Sequence, residues 1–287
     1  HCEYTLAAAR AGVHVLCEKP MAVTEEECEA MIEACDDAGV HLMIAYRLHF
    51  ERANLEVIDL LRDGEIGEVR LFDSVFSQDV QEGDIRLNPI EKGGGTIYDM
   101  GIYAINAARY LFGDEPTRVF AASESRESDP RFEDCDEMTH ATFTFPGHRL
   151  ATLTASFGAA SVSMYRVIGT EGEIRVEPAY DYATHLSYQV VKEGQVVREK
   201  TFDKRDQFGA ELFYFSNCIL NDEAPEPGGN EGLADVRIIL ATYRSAAQDA
   251  PVNIDPVDVG SRPSLAQAID RPGFPKPEEV KASSPSR

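Results

Sequence analysis

The chain has 287 residues, 43% of them hydrophobic and 27% charged, and its 27 Lys+Arg against 50 Asp+Glu leave a formal charge of −23. That composition is globular, and the length accommodates one large domain or two smaller ones. The acidic excess excludes a nucleic-acid backbone and an anionic membrane surface as partners, since both need clustered Lys/Arg, and it also fits a surface kept soluble at high salt.

The chain opens on His1, and residues 2–11 already read as helix, stopped by Gly12. A chain that begins inside an element is expected to be the remainder of a longer one, with any targeting signal upstream of His1. Val13–Cys17 fits a short buried strand, followed by Glu18-Lys19-Pro20. Thr24 and Glu27 then form a capping box for a helix whose apolar stripe is Cys28, Met31, Ile32 and Cys35, ended by Gly39. Val40–Ala45 is a second apolar strand, and helix–strand–helix–strand with short links predicts a parallel sheet with crossover helices.

After a helix over 51–62 the texture changes. Alternating strands are predicted at 69–77, 118–123, 138–145, 150–156, 165–168 and 173–176, with a hairpin of 186–191 and 195–202. Helices at about 96–112, 207–220 and 232–247 complete an α+β layout, a large, mostly antiparallel open sheet with helices on one face. Three units follow: 1–46, the back end of a doubly wound α/β domain; 47–254, an α+β domain; and 255–287, a Pro-rich arm with a disordered end. No apolar run approaches the roughly 20 residues that cross a bilayer.

The six cysteines lack a C-x-x-C pair and read as buried, reduced thiols of a cytoplasmic protein. The histidines show no paired spacing, so no metal site is expected. Lys19 lies at the carboxyl end of a predicted parallel strand, where open α/β sheets bind ligands, and apolar walls there would suit it to proton transfer. By itself, Glu18-Lys19-Pro20 reads more simply as a solvated loop. Gly93-Gly94-Gly95 would let backbone N–H groups approach a ligand at an open helix N-terminus. On the helix that follows, Asp99, Tyr103, Asn106 and Tyr110 share one face. A carboxylate one turn before a phenol can hold a sugar hydroxyl or orient a proton; a solvated flank would look the same. Gly101 inside this helix costs up to about 1 kcal/mol and calls for a ligand or a close neighbour.

Together these segments resemble the Gfo/Idh/MocA family of glucose–fructose oxidoreductases and inositol dehydrogenases. The similar stretches are His1 with Ala11–Pro20 (AGVHVLCEKP), Ile66-Gly67-Glu68, Gly93–Tyr103 (GGGTIYDMGIY) and Val167–Ile174 (VIGTEGEI), in order across most of the chain. The resemblance implies a Rossmann domain for NADP or NAD, with NADP favoured. It also implies a C-terminal sheet that forms the sugar site and joins a homodimer or homotetramer. The G-x-G-x-x-G turn would lie on the order of 80 residues before His1, so the chain alone would bind the cofactor weakly.

By the same resemblance Lys19 is the catalytic lysine that touches nicotinamide ribose and substrate, and Asp99 is the sugar-binding carboxylate. Tyr103 stands where most members carry His, as in the glucose–fructose oxidoreductase branch. Its phenolate, favoured by Lys19, is the first choice of base and Lys19 itself the second. Glu18, Lys19, Pro20, Arg47 and Arg86 are the implied cofactor contacts, with Ile85 replacing the family's Trp before that Arg. The implied activity is hydride transfer between nicotinamide and a sugar or polyol, of the glucose–fructose oxidoreductase kind. The alternatives are an aldose 1-dehydrogenase of pentose type or a dihydrodiol dehydrogenase and, from another class, a non-catalytic sugar- or nucleotide-sensing relative.

Overall fold

A computed structural model describes residues 1–274. Its first two helices end where the sequence places their stops. α1 (Cys2–Arg10) runs out at Gly12 and α2 (Glu25–Ala38) at Gly39, both glycines having positive φ. Thr24 caps α2 by accepting from the Glu27 N–H (3.2 Å). The Glu27 carboxylate reaches back to the Val23 N–H (3.1 Å), one residue beyond the partner of a reciprocal capping box.

β1 (Val15–Glu18) and β2 (Leu42–Ala45) pair in parallel, with Glu18 opposite Ala45. Each strand starts two residues later than its apolar run. The N–H groups of Val13 and Val40 instead close the preceding helices onto the Ala8 and Cys35 carbonyls (both 3.0 Å). The other edge of β2 meets the second half of the chain: Ile44 N–H donates to the Pro227 carbonyl (3.1 Å) and Met43 bridges Gly228.

α3 (Arg52–Arg62) leads to β3 (Val69–Asp79), the middle of a nine-stranded sheet. The other strands are β4 (Arg118–Glu124), β5 (Met138–Phe145), β6 (Arg149–Ser156), β7 (Gly158–Gly169), β8 (Glu173–Val176), β9 (Leu186–Lys192), β10 (Gln195–Phe202) and β11 (Val252–Asn253). Their order is β10-β9-β8-β7-β3-β6-β5-β4-β11, and every pair is antiparallel except β3–β6. β7 is three times the expected length. Its first half is small and polar, so no apolar alternation announces it, yet it pairs along β3 with Val162 opposite Ser77.

The expected helix over 96–112 is divided into a π-helical turn at Ile97–Gly101 and α4 (Ile102–Phe112). Gly101 is accounted for by its own turn, since a Cβ there would lie 2.8 Å from Ile97 Cδ1. α5 (Gln207–Asn221) and α6 (Gly229–Gln248) follow the sheet. α6 packs on β4 as well as on α2 and β2, and one continuous hydrophobic core runs from Cys17 and Met21 to Val236 and Phe143. The arm turns back along the surface, where Ile269 N–H donates to the Phe50 carbonyl and Asp206 N–H to that of Arg271 (both 3.2 Å). The expected disordered end falls at 275–287, outside the described residues.

Arg109 of α4 is fully buried and donates to Glu115 (2.7 Å), Glu231 (2.7 Å) and Asp235 (2.6 Å), which ties α4 to α6. Removing the cation would leave the buried carboxylates with Arg262 against Glu115 and Glu231 and the neutral amide of Asn106 against Glu231 and Asp235. Arg109→Met is therefore expected to cost about 3–5 kcal/mol in urea unfolding. A loss within error of zero would mean that the carboxylates shed their charge at no cost.

Candidate active site

β1 and β2 are parallel neighbours ending at Glu18 and Ala45, so residues 19–20 and 46–47 leave the same sheet edge side by side. That edge is where an open α/β sheet leaves its ligand crevice. The π-helical turn and α4 face it from the other side, and Lys19, Arg47, Leu48, Tyr103, Asn106 and Tyr110 line one narrow pocket.

Asp99 meets Lys19 beside this pocket. The Lys19 ammonium donates to the Asp99 carbonyl (2.7 Å), stands 3.3 Å from Asp99 Oδ1, and lies 4.7 Å from the centre of the Tyr103 ring. Arg86 Nε donates to Asp99 Oδ2 (2.8 Å), and its Nη1 to Asp84 (3.2 Å). Burial alone would raise the Asp99 carboxyl, but Lys19 and then Arg86 outweigh it and hold the group below its ordinary range.

Arg47 is 5% exposed, so its guanidinium has lost nearly all its water. It donates through Nη1 to Gln207 Oε1 and through Nη2 to the Tyr180 carbonyl, with Cζ 5.0 Å from the Tyr103 ring centre. The Tyr103 ring is also packed by Phe76 edge-on (5.6 Å) and by Tyr180 (5.7 Å). Burial would push its phenol up. Arg47 first and Lys19 second more than offset that, against Asp99, and Tyr103 ionises below the ordinary value of 10. The lysine named from the sequence is thus the lesser of two cations acting on this phenol.

Not every residue singled out in the sequence faces the pocket with free polar atoms. Glu18 is exposed, and Pro20 accepts at its carbonyl from His1 Nδ1 (2.8 Å). Asn106 is spent on His49 (2.8 Å), Glu231 (2.8 Å) and Asp235 (3.0 Å), and Tyr110 on Asn54 (2.8 Å).

The triple glycine is corrected by the structure. A Cβ on Gly94 would lie 1.8 Å from the Asn88 carbonyl oxygen, and one on Gly95 (φ +96°) 2.4 Å from the Tyr243 hydroxyl. The next two N–H groups are taken by the protein itself, Thr96 donating to Asp136 (3.1 Å) and Ile97 to Tyr243 (3.0 Å). These glycines let the chain pack on itself; the helix start is closed rather than open to a ligand.

Gln207, Tyr180, Tyr182 and Phe208 were not indicated by the sequence. The trace they leave is an uncharged polar residue directly after the Asp206 cap, on the side of α5 that carries the buried Ala210 and Phe215. Among the described residues no group of His, Cys, Asp and Glu could hold a metal ion, and no helix is long and apolar enough to cross a membrane.

Residues 54–175 match the GFO/IDH/MocA C-terminal domain, and residues 1–46 match the oxidoreductase family with the NAD-binding Rossmann fold. The D-xylose 1-dehydrogenase [NADP(+)] of Haloarcula marismortui is 36% identical over 89% of this chain and 72% of its own length. The D-xylose 1-dehydrogenase (NADP(+)) 2 of Haloferax volcanii is 33% identical over 89% and 77%. Among solved structures, the aldose-aldose oxidoreductase from Caulobacter crescentus, complexed with glycerol, superposes with a TM-score of 0.82 at 39% identity, over 88% of this chain and 76% of that one. With both domains matched and the Lys19–Asp99–Tyr103 cluster lying between them, the chain belongs to the Gfo/Idh/MocA family of NAD-binding oxidoreductases.

Proposed function

We propose that the protein is an NADP-dependent aldose 1-dehydrogenase that oxidises neutral sugars, pentoses foremost. The observation that carries this reading is the meeting of Lys19 with both Asp99 and the Tyr103 ring at the carboxyl edge of β1 and β2. The names of the two haloarchaeal relatives support the pentose and the NADP.

The cluster fits a nicotinamide cofactor at its ribose end, because Lys19 and Arg47 project from adjacent parallel strand ends into the crevice. Lys19 and Arg47 would hold that end, with Arg86 nearby through Asp99. When bound, the nicotinamide supplies the hydride chemistry. Asp99 keeps its charge throughout the working range. Each of its oxygens has one cation partner and a further lone pair that can accept from a sugar hydroxyl. Tyr103, as phenolate, takes the hydroxyl proton while Lys19 and Arg47 hold its negative charge.

A second reading is favoured by the 39% identical structure, whose name describes transfer between two aldoses. The two part on one measurement. A 1-dehydrogenase accumulates NADPH when given D-xylose and NADP, whereas an aldose–aldose oxidoreductase turns over without net cofactor reduction once a second aldose is present.

In the enzyme, Tyr103→Phe is expected to lower kcat by about 10²–10⁴-fold, and Lys19→Ala to act in the same direction. Asp99→Asn falls mainly on KM for the sugar. Near wild-type kcat in both of the first two variants would remove this mechanism. The pH dependence has a definite sign: a base that ionises below 10 makes kcat/KM rise with pH through that ionisation, and Tyr103→Phe should erase the rise.

The sheet face turned away from the helices exposes Leu71 (42%), Leu150 (42%) and Phe120 (45%), with Leu71 and Leu150 directly opposite in register. We assign this face to a second copy of the chain. Leu71→Glu with Leu150→Glu should convert the sedimenting species to monomer; an unchanged mass would place the contact elsewhere.

A further inference from the structure

We propose that Gln207 is a positioning residue for the reaction: its amide fixes the Arg47 guanidinium against the Tyr103 ring while adding no charge of its own. This rests on the reading of Tyr103 as the base.

A buried amide must find partners for both ends, and Gln207, 5% exposed, does so. Its Oε1 accepts from Arg47 Nη1, and its Nε2 donates to the Asp181 carbonyl (3.1 Å). The Tyr180 carbonyl accepts from Arg47 Nη2, so the guanidinium is fixed from two points. Both points belong to the C-terminal half, although Arg47 itself leaves the end of β2. Gln207 also ties down the segment that carries Tyr182, whose ring meets Phe208 edge-on at 5.4 Å. Those two rings lie 5.5 and 5.9 Å from Arg47 Cζ, so the cation is packed by aromatic faces besides that of Tyr103. The start of α5 is itself held, because Asp206 accepts from Gly209 N–H (2.9 Å) and donates its own N–H to Arg271.

The neutrality of the side chain matters as much as its geometry. A carboxylate at position 207 would make the same contact with Arg47 but would cancel the charge that stabilises the phenolate. Arginine stays charged at any working pH, so the field over Tyr103 is set by what faces it. Lys19 faces the ring from the loop after β1, Asp99 from the turn before α4, and Tyr180 from the segment after β8. Behind Arg47 lie Glu51 at the start of α3 and Glu211 one turn along α5, both buried. Burial first, and Glu18 next, push Glu211 up to about 8, so near neutrality it is protonated and leaves the Arg47 charge intact.

The test titrates tyrosinate absorbance and measures the pH profile of kcat/KM for D-xylose in the same enzyme. Wild type minus Tyr103→Phe isolates one phenol that ionises below 10. Gln207→Glu keeps the size and the acceptor, and should move that ionisation and the rise of kcat/KM upward by about one pH unit or more. At a fixed pH on the rising limb that is a rate about tenfold lower, with the sugar KM changing less than kcat. Gln207→Met, isosteric and neutral but without hydrogen bonds, should move both in the same direction by a smaller step. Titration of Gln207→Glu as in wild type, or an effect confined to KM, overturns the proposal. Absence of any Tyr103 ionisation below 10 in the wild-type difference overturns the base assignment instead, and the role of Gln207 with it.

Discussion

Arg47 is a permanent charge with almost no access to water, and the site depends on how the fold compensates it. Among the described residues no carboxylate is in direct contact with it. Compensation comes from an amide oxygen, a backbone carbonyl and the faces of three aromatic rings, so most of the positive field is left to act inside the pocket. The carboxylate that is present, Asp99, is shared between Lys19 and Arg86. Around Tyr103, Lys19 and Arg47 both face the ring while Asp99 is shared between Lys19 and Arg86, and that arrangement suits a site that must accept a proton onto an oxygen and keep it anionic beforehand.

Elsewhere the chain handles charge in the opposite way. The Arg109 cluster brings three carboxylates onto one guanidinium, with Arg262 from the arm adding a second. There three carboxylates face two guanidiniums, and what is gained is fixed registry between α4 and α6. Since Asn106 joins the cluster to His49 and also lines the pocket, the floor beneath Tyr103 is set by this rigid network.

What could be read from the sequence follows from the range of the interactions. Gly12, Gly39 and the Thr24 cap act within a few residues and were legible. Lys19, Asp99 and Tyr103 were legible through family motifs, and the structure brings them together across 80 positions of sequence. The late starts of β1 and β2 were not, because an N–H spent on a helix end looks the same in sequence as one spent in a strand. Nor was the purpose of the triple glycine: its neighbours, Asn88, Asp136 and Tyr243, are unrelated to it in pattern. Gln207 was hidden for a similar reason. A glutamine after an N-cap is ordinary in any surface helix, and only the burial of α5 against residues 180–181 gives it two partners.

The outer edge of β2 has a consequence beyond the active site. A short, apolar parallel strand with a free edge is a template onto which a foreign strand can add. Here Pro227 offers its carbonyl to Ile44 and Gly228 bridges Met43, so a loop from the far half of the chain occupies that edge. Pro227 has no N–H to extend the ladder. The more hydrophobic of the two strands in residues 1–46 is thereby sealed against self-association by the C-terminal half, and its solubility becomes conditional on the two halves having docked.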